Sequence, residues 1–488
     1  LMGQDTSLQA LYPWDNLGNM DFNGRFTGYP DQFVASGLLA TDLGRMFMDL
    51  SFSPDSIRGL DFNGRLMTRD FRLGEFLNQE RTLSQLDMNI LTDGNLYRGQ
   101  IQAELEGTID TLEFYQYAYS NITLDGAFTN TTFDGGFSIS DPNIRMDFLG
   151  KMDFSGDVPE YNFTADVARA RPYFLNLGTE DPNSFASFLI ETNVTGRNVD
   201  LMNGEIRLVN SLFERKDEQV QLYDLSISSL NTADTSRLQI RSDILNANIE
   251  GRYQLSTLPA SFRDLADRYL NIIPDYEPRI DSVNHFNFQV DVKRVNPLLD
   301  FFLPSLQIGD GSQLQGSYHP SGGVCTTVGF FPDLQIAQNR WTNLDLFSEI
   351  ANGAFLVYSQ SDSMTYEGSY SLIDQQLQIR VADDSASMEI SWDNRVGPAY
   401  NGEIKLTGTF QTDSMENRGF LVAVHPTEIF INDDPWNVDS ASILLKRQYV
   451  EIDSLSIISE DGHIMADGTI SREEDKDFHM EVKNLNLA

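Results

Sequence analysis

The sequence predicts an all-β fold: an elongated, curled antiparallel β-sheet that forms an open hydrophobic groove, with one or two short plug helices. Three observations predict it. Apolar residues recur at every second position, short breaks rich in Gly, Asp and Asn separate these stretches, and only two segments follow a helical period. Because side chains alternate between the faces of a strand, this pattern is typical of a sheet with one apolar and one polar face.

The clearest alternating stretch covers residues 286–292, where four apolar residues alternate with Asn, Gln and Asp. A second stretch places Tyr223, Leu225 and Ile227 at alternate positions, and we expect all three on one face. The apolar members of such stretches are the candidate groove lining. The candidates are Ile101, Leu105, Ile144, Met146, Phe148, Met152, Phe154, Phe163, Val167, Leu225, Ile227, Phe286, Phe288, Val290, Val292, Ile379, Ile404, Leu406 and Phe410.

Composition argues against a nucleic-acid partner and against an internal disulfide. The 488 residues carry 72 Asp and Glu against 34 Lys and Arg, a formal net charge of −38. Nucleic acid is therefore an unexpected partner, because phosphate binding requires basic stripes and the sequence has none. The single cysteine, Cys325, forbids an internal disulfide and is expected to be a small residue in a strand.

Two segments depart from the strand period and are predicted as helices. In residues 259–271, Ser261 is a plausible N-cap and Pro274 follows the end. Residues 296–306 begin with Pro in the first turn and stop before Pro304. We expect both helices to plug or cap the apolar face. Their apolar residues include Phe262, Leu265, Ala266, Tyr269, Leu270, Leu298, Phe301 and Phe302.

A sheet with one apolar face must cover that face, as a sandwich, a closed barrel or a curled trough. No linker or shift in composition divides the chain, so a continuous trough is favoured over a series of separate domains. Three segments follow, with residues 1–258 as groove, 259–306 as helical insertions and 307–488 as groove. Tight turns or β-bulges are expected at Asp-Gly sequences, namely 125–126, 134–136, 461–462 and 467–468.

A degenerate repeat supports the same architecture. The string Asp-Phe-Asn-Gly-Arg occurs at residues 21–25 and again at 61–65, and each copy precedes a Leu-Gly motif, at 43–44 and at 73–74. The chain also begins without Met and ends inside an alternating pattern, so we expect a fragment of a longer protein.

Enzymatic and metal-binding patterns are not found. The five histidines are scattered without metal-ligand spacing, and no nucleophile elbow or phosphate-binding Gly-rich loop occurs. The acidic pairs, such as Asp433-Asp434, are expected in solvated turns. We therefore predict no catalytic residues, no metal and no cofactor.

The order of these motifs resembles a known family. Residues 18–50 closely resemble the middle region of TamB-like proteins, which belong with the AsmA-like group. Residues 435–441, 452–459 and 462–471 resemble the C-terminal half of the same family. The resemblance implies a taco-like β groove in the periplasm, anchored to the inner membrane by an N-terminal helix that this chain lacks. It also implies contact with an outer-membrane barrel of the TamA type.

Two functional hypotheses follow. The preferred one is a periplasmic bridge that conducts phospholipids between the inner and outer membranes and supports outer-membrane biogenesis. The alternative is a chaperone or scaffold for outer-membrane protein assembly and secretion, whose strand edges pair with client strands. A third possibility, a carbohydrate-binding β rod, would require aromatic ladders on the polar face.

Overall fold

The computed structural model describes residues 14–29, 32–55, 59–216, 218–232, 234–270, 283–320, 324–368, 370–382, 385–394, 397–412, 418–446, 449–471 and 477–484. Strands make up 72% of the described residues and helices 7%. The strands pair antiparallel and every helix is short, so the predicted all-β fold class is confirmed.

The chain divides into two compact units. Unit 1 comprises residues 1–230 with 241–243, and unit 2 comprises residues 231–240 with 244–488. The segment boundaries expected at 258 and 306 both fall inside unit 2. Strands β1 to β14 belong to unit 1, apart from the last residue of β14. They are Met20–Tyr29, Gln32–Thr41, Gly44–Asp55, Gly59–Arg69, Phe71–Arg72, Leu83–Tyr97, Gln100–Phe114, Tyr117–Thr129, Thr132–Ser140, Ile144–Asp153, Glu160–Ala170, Phe185–Thr195, Asn203–Arg215 and Glu218–Asn231.

Strand β15, Ser236–Ser242, contributes residues to both units. Strands β16 to β32 belong to unit 2. They are Leu245–Arg252, His285–Val292, Leu306–Ile308, Gln313–His319, Val324–Ile336, Asn339–Ala351, Ala354–Tyr366, Tyr370–Ala382, Ser385–Asp393, Asn401–Thr412, Arg418–Val424, Thr427–Ile431, Asp434–Val438, Ala441–Lys446, Tyr449–Ile458, His463–Ser471 and Asp477–Lys483.

Three α-helices interrupt the strands within the described ranges: α1 at Leu73–Leu77, α2 at Leu258–Leu270 and α3 at Asn296–Phe302. Single 3-10 turns lie at Trp14–Leu17 and Val199–Leu201. Helices α2 and α3 match the two predicted helices, but the predicted N-cap is wrong. Ser261 lies inside α2, where its hydroxyl and its backbone N–H both donate to the Thr257 carbonyl. Pro274 and the end of the predicted segment lie outside the described residues.

Most strands pair with their neighbours in sequence, because short turns join them as hairpins. In unit 1, β4 pairs with β6 across the short β5, and unit 2 contains further departures. Strand β19 pairs with β17 and β20, the short β18 pairs with β20, and β26 pairs with β29 across the β27–β28 hairpin. The meander predicted from the short breaks therefore describes most of both units.

The Asp-Gly sequences lie at turns or bulges in only two of the four predicted places. The 461–462 pair lies between β30 and β31, and the 467–468 pair lies where the β30–β31 register shifts between Ile452 and Leu455. Gly126 and Gly135 lie instead in the middle of regular strands. Gly126 and Gly135 face each other across β8 and β9, where a Cβ on Gly135 would lie 2.3 Å from the Gly126 Cα. These glycines therefore permit close approach between strands, rather than chain reversal.

A second set of mid-strand glycines has a positive φ angle. Gly64 has φ of 144° and Gly204 has φ of 126°, and a Cβ on either would lie 2.0 Å from a carbonyl oxygen of the neighbouring strand. Gly107, Gly150 and Gly251 share this geometry, with corresponding distances of 2.3 to 2.4 Å. Such glycines kink a strand and let a sheet coil, so they explain how long strands bend around an apolar face.

An Asn residue with a positive φ angle shifts the alternation of side chains between the two faces of β13. Asn210, with φ of 49°, interrupts β13, so Leu208 before it and Phe213 after it point to the same face. The partner strand β14 changes phase at the same level: Leu225 is half-buried, but Tyr223 is exposed. The expectation that Tyr223 shares the face of Leu225 and Ile227 is therefore wrong.

We expect Gly64→Ala to lower the free energy of unfolding of unit 1 by about 2–4 kcal/mol, since the new methyl group meets the Asp49 carbonyl at a backbone angle unfavourable for alanine. Gly156→Ala is the matched control, because the nearest atom to its Cβ is 3.7 Å away. Urea unfolding midpoints of the two variants measure the difference. Equal midpoints would contradict a structural role for the kink.

Candidate functional site

An uninterrupted apolar row crosses unit 1. Cross-strand register aligns one residue from each of thirteen strands, and none of them is polar. We call this set the unit 1 row, and the face that carries it the inner face. From β1 to β14, omitting β5, the row is Gly24, Gly37, Met48, Leu66, Ile90, Gly107, Leu124, Phe137, Phe148, Ala165, Ile190, Leu208 and Leu225.

The outer face carries the opposite chemistry one residue away. Of the thirteen aligned residues next to the unit 1 row, ten are polar or charged and three are Leu91, Gly136 and Leu149. Ion pairs lie on the outer face: Arg207, one of these residues, contacts Glu191 at 3.7 Å and also Asp224 at 2.9 Å. The predicted segregation of apolar and polar side chains is thus present across the whole of unit 1.

Most of the unit 1 row is not fully covered. Among its ten residues other than glycine, Ile90, Phe148 and Ala165 are buried and the other seven keep partial exposure. A conventional core would bury all of them. The row therefore offers an apolar surface that a hydrocarbon can cover further.

Aromatic rings mark the middle of this surface. The Phe137 and Phe148 rings stack at 4.7 Å between centroids, and the Phe148 and Phe163 rings lie 5.1 Å apart. Phe133 lies 6.2 Å from Phe148. Four rings from three adjacent strands thus form one continuous apolar wall.

Unit 2 has its own apolar row, which crosses fourteen strands and which we call the unit 2 row. Its members are apolar, apart from the hydroxyl of Tyr318 and the thiol of Cys325. From β16 to β32, omitting β18, β27 and β28, the row is Gly251, Phe286, Tyr318, Cys325, Ile350, Phe355, Val381, Ala386, Gly408, Val422, Ile443, Ile452, Gly468 and Phe478.

The candidate lining residues fall on these inner faces. In unit 1 they pair across strands with other apolar residues or glycine, with Thr92 and Thr192 the polar partners. These are Ile101, Leu105, Ile144, Met146, Phe148, Met152, Phe163, Val167, Leu225 and Ile227. Phe154 lies one residue beyond β10 and is exposed. In unit 2 the inner face carries Phe286, Phe288, Val290, Val292, Ile379, Ile404, Leu406 and Phe410.

The two predicted plug helices occupy different positions. Helix α2 lies against the inner face of unit 2, with the Phe262 ring 5.2 Å from Tyr318 and the Tyr269 ring 6.1 Å from Phe355. Leu265 is half-buried on the same helix. Helix α3 packs instead on the short strand β18, where the Ile308 N–H donates to the side chain of Asn296. Within α3, Leu298 is half-buried, Phe301 is buried and Phe302 is exposed.

The sequence did not predict the caps at one edge of unit 1. Leu175, in the 171–184 segment between β11 and β12, is 1% exposed and packs with Val167, Ala170 and Ala186. Leu17, Leu43 and Phe71 form a second cluster, against which Leu73 and Phe76 of α1 pack. The signal for the first cap was a run of apolar residues at 173–177, where the alternation stops. The repeated Leu-Gly motif places Leu43 and Leu73 together in the second.

A buried polar cluster lies beside the first cap. Asp141 accepts hydrogen bonds from the Tyr117 hydroxyl, from Ser120 and from the Asn143 N–H. Burial alone would raise the pKa of Asp141, but these donors outweigh it and lower the pKa. Burial, together with the contact to Asp141, raises the pKa of Tyr117 to about 12. The ionised Asp141 and neutral Tyr117 thus fasten β8 to the 141–143 turn.

A depression of about 570 Å³ lies on unit 2. Its lining combines charged side chains of the outer face, Arg380, Glu389 and Lys405, with apolar residues that include Ile379 and Leu406 of the candidate groove lining. Lys405 contacts Glu389 at 3.7 Å.

No family model, curated protein or solved structure matches this chain. The resemblance to TamB-like proteins therefore stays a prediction. Helices with the length and hydropathy needed to cross a bilayer are absent from the described ranges. Nor, within those ranges, do three or more His, Cys, Asp or Glu side chains form a group that could hold a metal ion.

We expect Tyr117→Phe to weaken unit 1 by about 1–2 kcal/mol at neutral pH, because buried Asp141 loses a donor. The raised pKa of Tyr117 stabilises the folded state below pH 10, and this contribution declines as the pH rises from 10 towards about 12. The variant should lack that alkaline decline. Hydrogen exchange of the β8–β10 amides measures both effects. The control is Tyr223→Phe, which removes a hydroxyl from an exposed tyrosine. Identical protection in Tyr117→Phe and Tyr223→Phe would refute the role of the cluster.

Proposed function

We propose that the inner faces bind the acyl chains of phospholipids, and that the protein conducts phospholipids between the inner and outer membranes as a periplasmic bridge. The observation that carries the lipid part of this proposal is the unit 1 row, thirteen strands wide without a polar residue. The resemblance to TamB-like proteins supports the location and the role in outer-membrane biogenesis.

The dimensions of the row suit a series of lipids. Twelve steps of about 4.8 Å between strands give about 58 Å along the row. One leaflet contributes about 15 Å of hydrocarbon, half of a bilayer core. The row therefore has room for several acyl chains, one after another.

The energetics favour movement along the row. Each buried methylene contributes about 0.8 kcal/mol, so a chain of many methylenes is held firmly. Neighbouring positions offer similar Leu, Ile, Met and Phe surfaces, so a displacement by one strand changes little buried area. A lipid can then slide without a chemical step, while its headgroup stays in water at the strand ends.

One observation favours the alternative, a scaffold that pairs with client strands. Within the described ranges, β1 pairs only with β2, and its Phe26 and Tyr29 side chains are well exposed. The free edge of such a strand presents N–H and C=O groups to an incoming strand. Peptide crosslinks along β1, without lipid at the inner face, would favour the scaffold.

A photoreactive residue at position 137 should crosslink phospholipid when the protein is expressed in a Gram-negative cell envelope, because Phe137 is half-buried in the aromatic wall and its ring stacks on Phe148. The same residue at position 149 should crosslink little, since Leu149 is 69% exposed on the outer face. Mass spectrometry of the adducts gives the ratio, which we expect to exceed tenfold. Equal lipid adducts at the two positions would count against an inner-face conduit.

We expect Met146→Glu to reduce the phospholipid that co-purifies with the protein by at least half, because a carboxylate on the inner face interrupts the apolar path. Leu149→Glu adds the same charge to the outer face and should leave the lipid content unchanged. Quantitative lipid mass spectrometry, normalised to protein, compares the two variants. Wild-type lipid content in Met146→Glu would argue that acyl chains do not contact this strand.

A further inference from the structure

Helix α2 lies over one defined part of the unit 2 row. Its Phe262 ring contacts Tyr318 and its Tyr269 ring contacts Phe355, at 5.2 and 6.1 Å between centroids. Tyr318 and Phe355 belong to the same row, and Cys325 and Ile350 stand between them. The two ends of the contact therefore bracket Cys325.

The separations between the contacting residues show how the axis of α2 is oriented relative to the strands. Tyr318 and Phe355 are three strands apart, about 14 Å. Phe262 and Tyr269 are seven residues apart, about 10 Å along a helix axis. Helix α2 thus runs along the row and across the strands, as an acyl chain in the groove would. Cys325 beneath it is buried, and its pKa is raised by that burial.

Polar contacts fasten the start of α2. Asn284, 1% exposed, donates to the hydroxyls of Thr257 and Ser261 at 3.0 Å each and accepts from the Gln254 N–H at 2.7 Å. The Tyr318 hydroxyl donates to the Ser261 carbonyl at 3.2 Å. We call these contacts around Asn284 the latch.

The packing of α2 on the sheet is partly polar. Phe262 is 47% exposed despite its contact with Tyr318, while the polar Ser261 and Asp267 are both buried. A helix of thirteen residues depends on packing for its stability, and buried polar groups weaken such packing compared with hydrocarbon. An acyl chain would cover the same row without a polar group to desolvate.

We propose that the part of the unit 2 row from Tyr318 to Phe355 is an acyl-chain site that α2 covers in the lipid-free protein. This inference rests on the proposed function, and it adds that helix and lipid compete for one surface. Release of the latch then exposes the site, and the helix acts as a built-in competitor that closes the row when lipid is absent.

Two variants and one probe test the competition. The probe is a phosphatidylcholine with a diazirine on its acyl chain, presented in vesicles, with crosslinked peptides mapped by mass spectrometry. Asn284→Ala breaks the latch and Phe262→Ala removes a contact on α2. Phe347→Ala removes a ring of similar size from the outer face and is the matched control. Should Asn284→Ala fail to fold, Phe262→Ala carries the test, because its side chain is half-exposed.

We expect crosslinking to residues 318–355 to rise about tenfold in the two α2 variants and to stay at the wild-type level in Phe347→Ala. Maleimide labelling of Cys325, the only thiol in the chain, should rise similarly in the lipid-free variants. Unchanged crosslinking at 318–355, with normal crosslinking around Phe148, would overturn the competition and leave the conduit standing. Absence of crosslinks in both units would overturn the conduit itself.

Discussion

The close approach of backbones at mid-strand glycines is the constraint on which both units depend. At Gly64, Gly204 and Gly468 a single methyl group would lie 2.0 Å from the carbonyl of the neighbouring strand. Each strand can therefore bend at that level while its ladder continues, which a chain with Cβ atoms there could not do.

Alternation within strands and register between strands must agree before a row can form. A shift of one residue would put a charge into the unit 1 row in seven of its thirteen strands, because the next position in those strands carries Arg, Asp or Glu. The apolar row thus requires twelve correct registers in succession. Tight turns and glycine pairs such as Gly126 with Gly135 fix these registers locally. The large negative charge then keeps the outer face hydrated and discourages pairing between chains.

Sequence periodicity predicted the strands, the two longer helices and the faces of the candidate lining residues, since all of these depend on local spacing. It failed where the cause is a contact between distant segments. The Asp-Gly sequences at 125–126 and 134–136 look like turns in isolation. In the structure they pair with each other across β8 and β9, in the middle of both strands. Ser261 looks like an N-cap, but α2 begins earlier and the serine joins Asn284 instead. The cap around Leu175 needs tertiary contacts that no local pattern contains.

The distribution of burial distinguishes compact apolar clusters from the partly exposed unit 1 row. Where a core is needed, unit 1 buries Leu175 and Phe71 in compact clusters, and unit 2 buries Trp436 with Val424 and Ile429. The same chain can therefore bury large side chains fully. Along the unit 1 row it leaves seven of ten residues partly exposed. In unit 2 it covers part of the row with α2, held by buried hydrogen bonds, where a continuous apolar contact would have held more tightly. The proposed conduit accounts for this pattern, because an apolar surface kept accessible at one place and covered by a helix with buried polar contacts at another suits a mobile hydrocarbon.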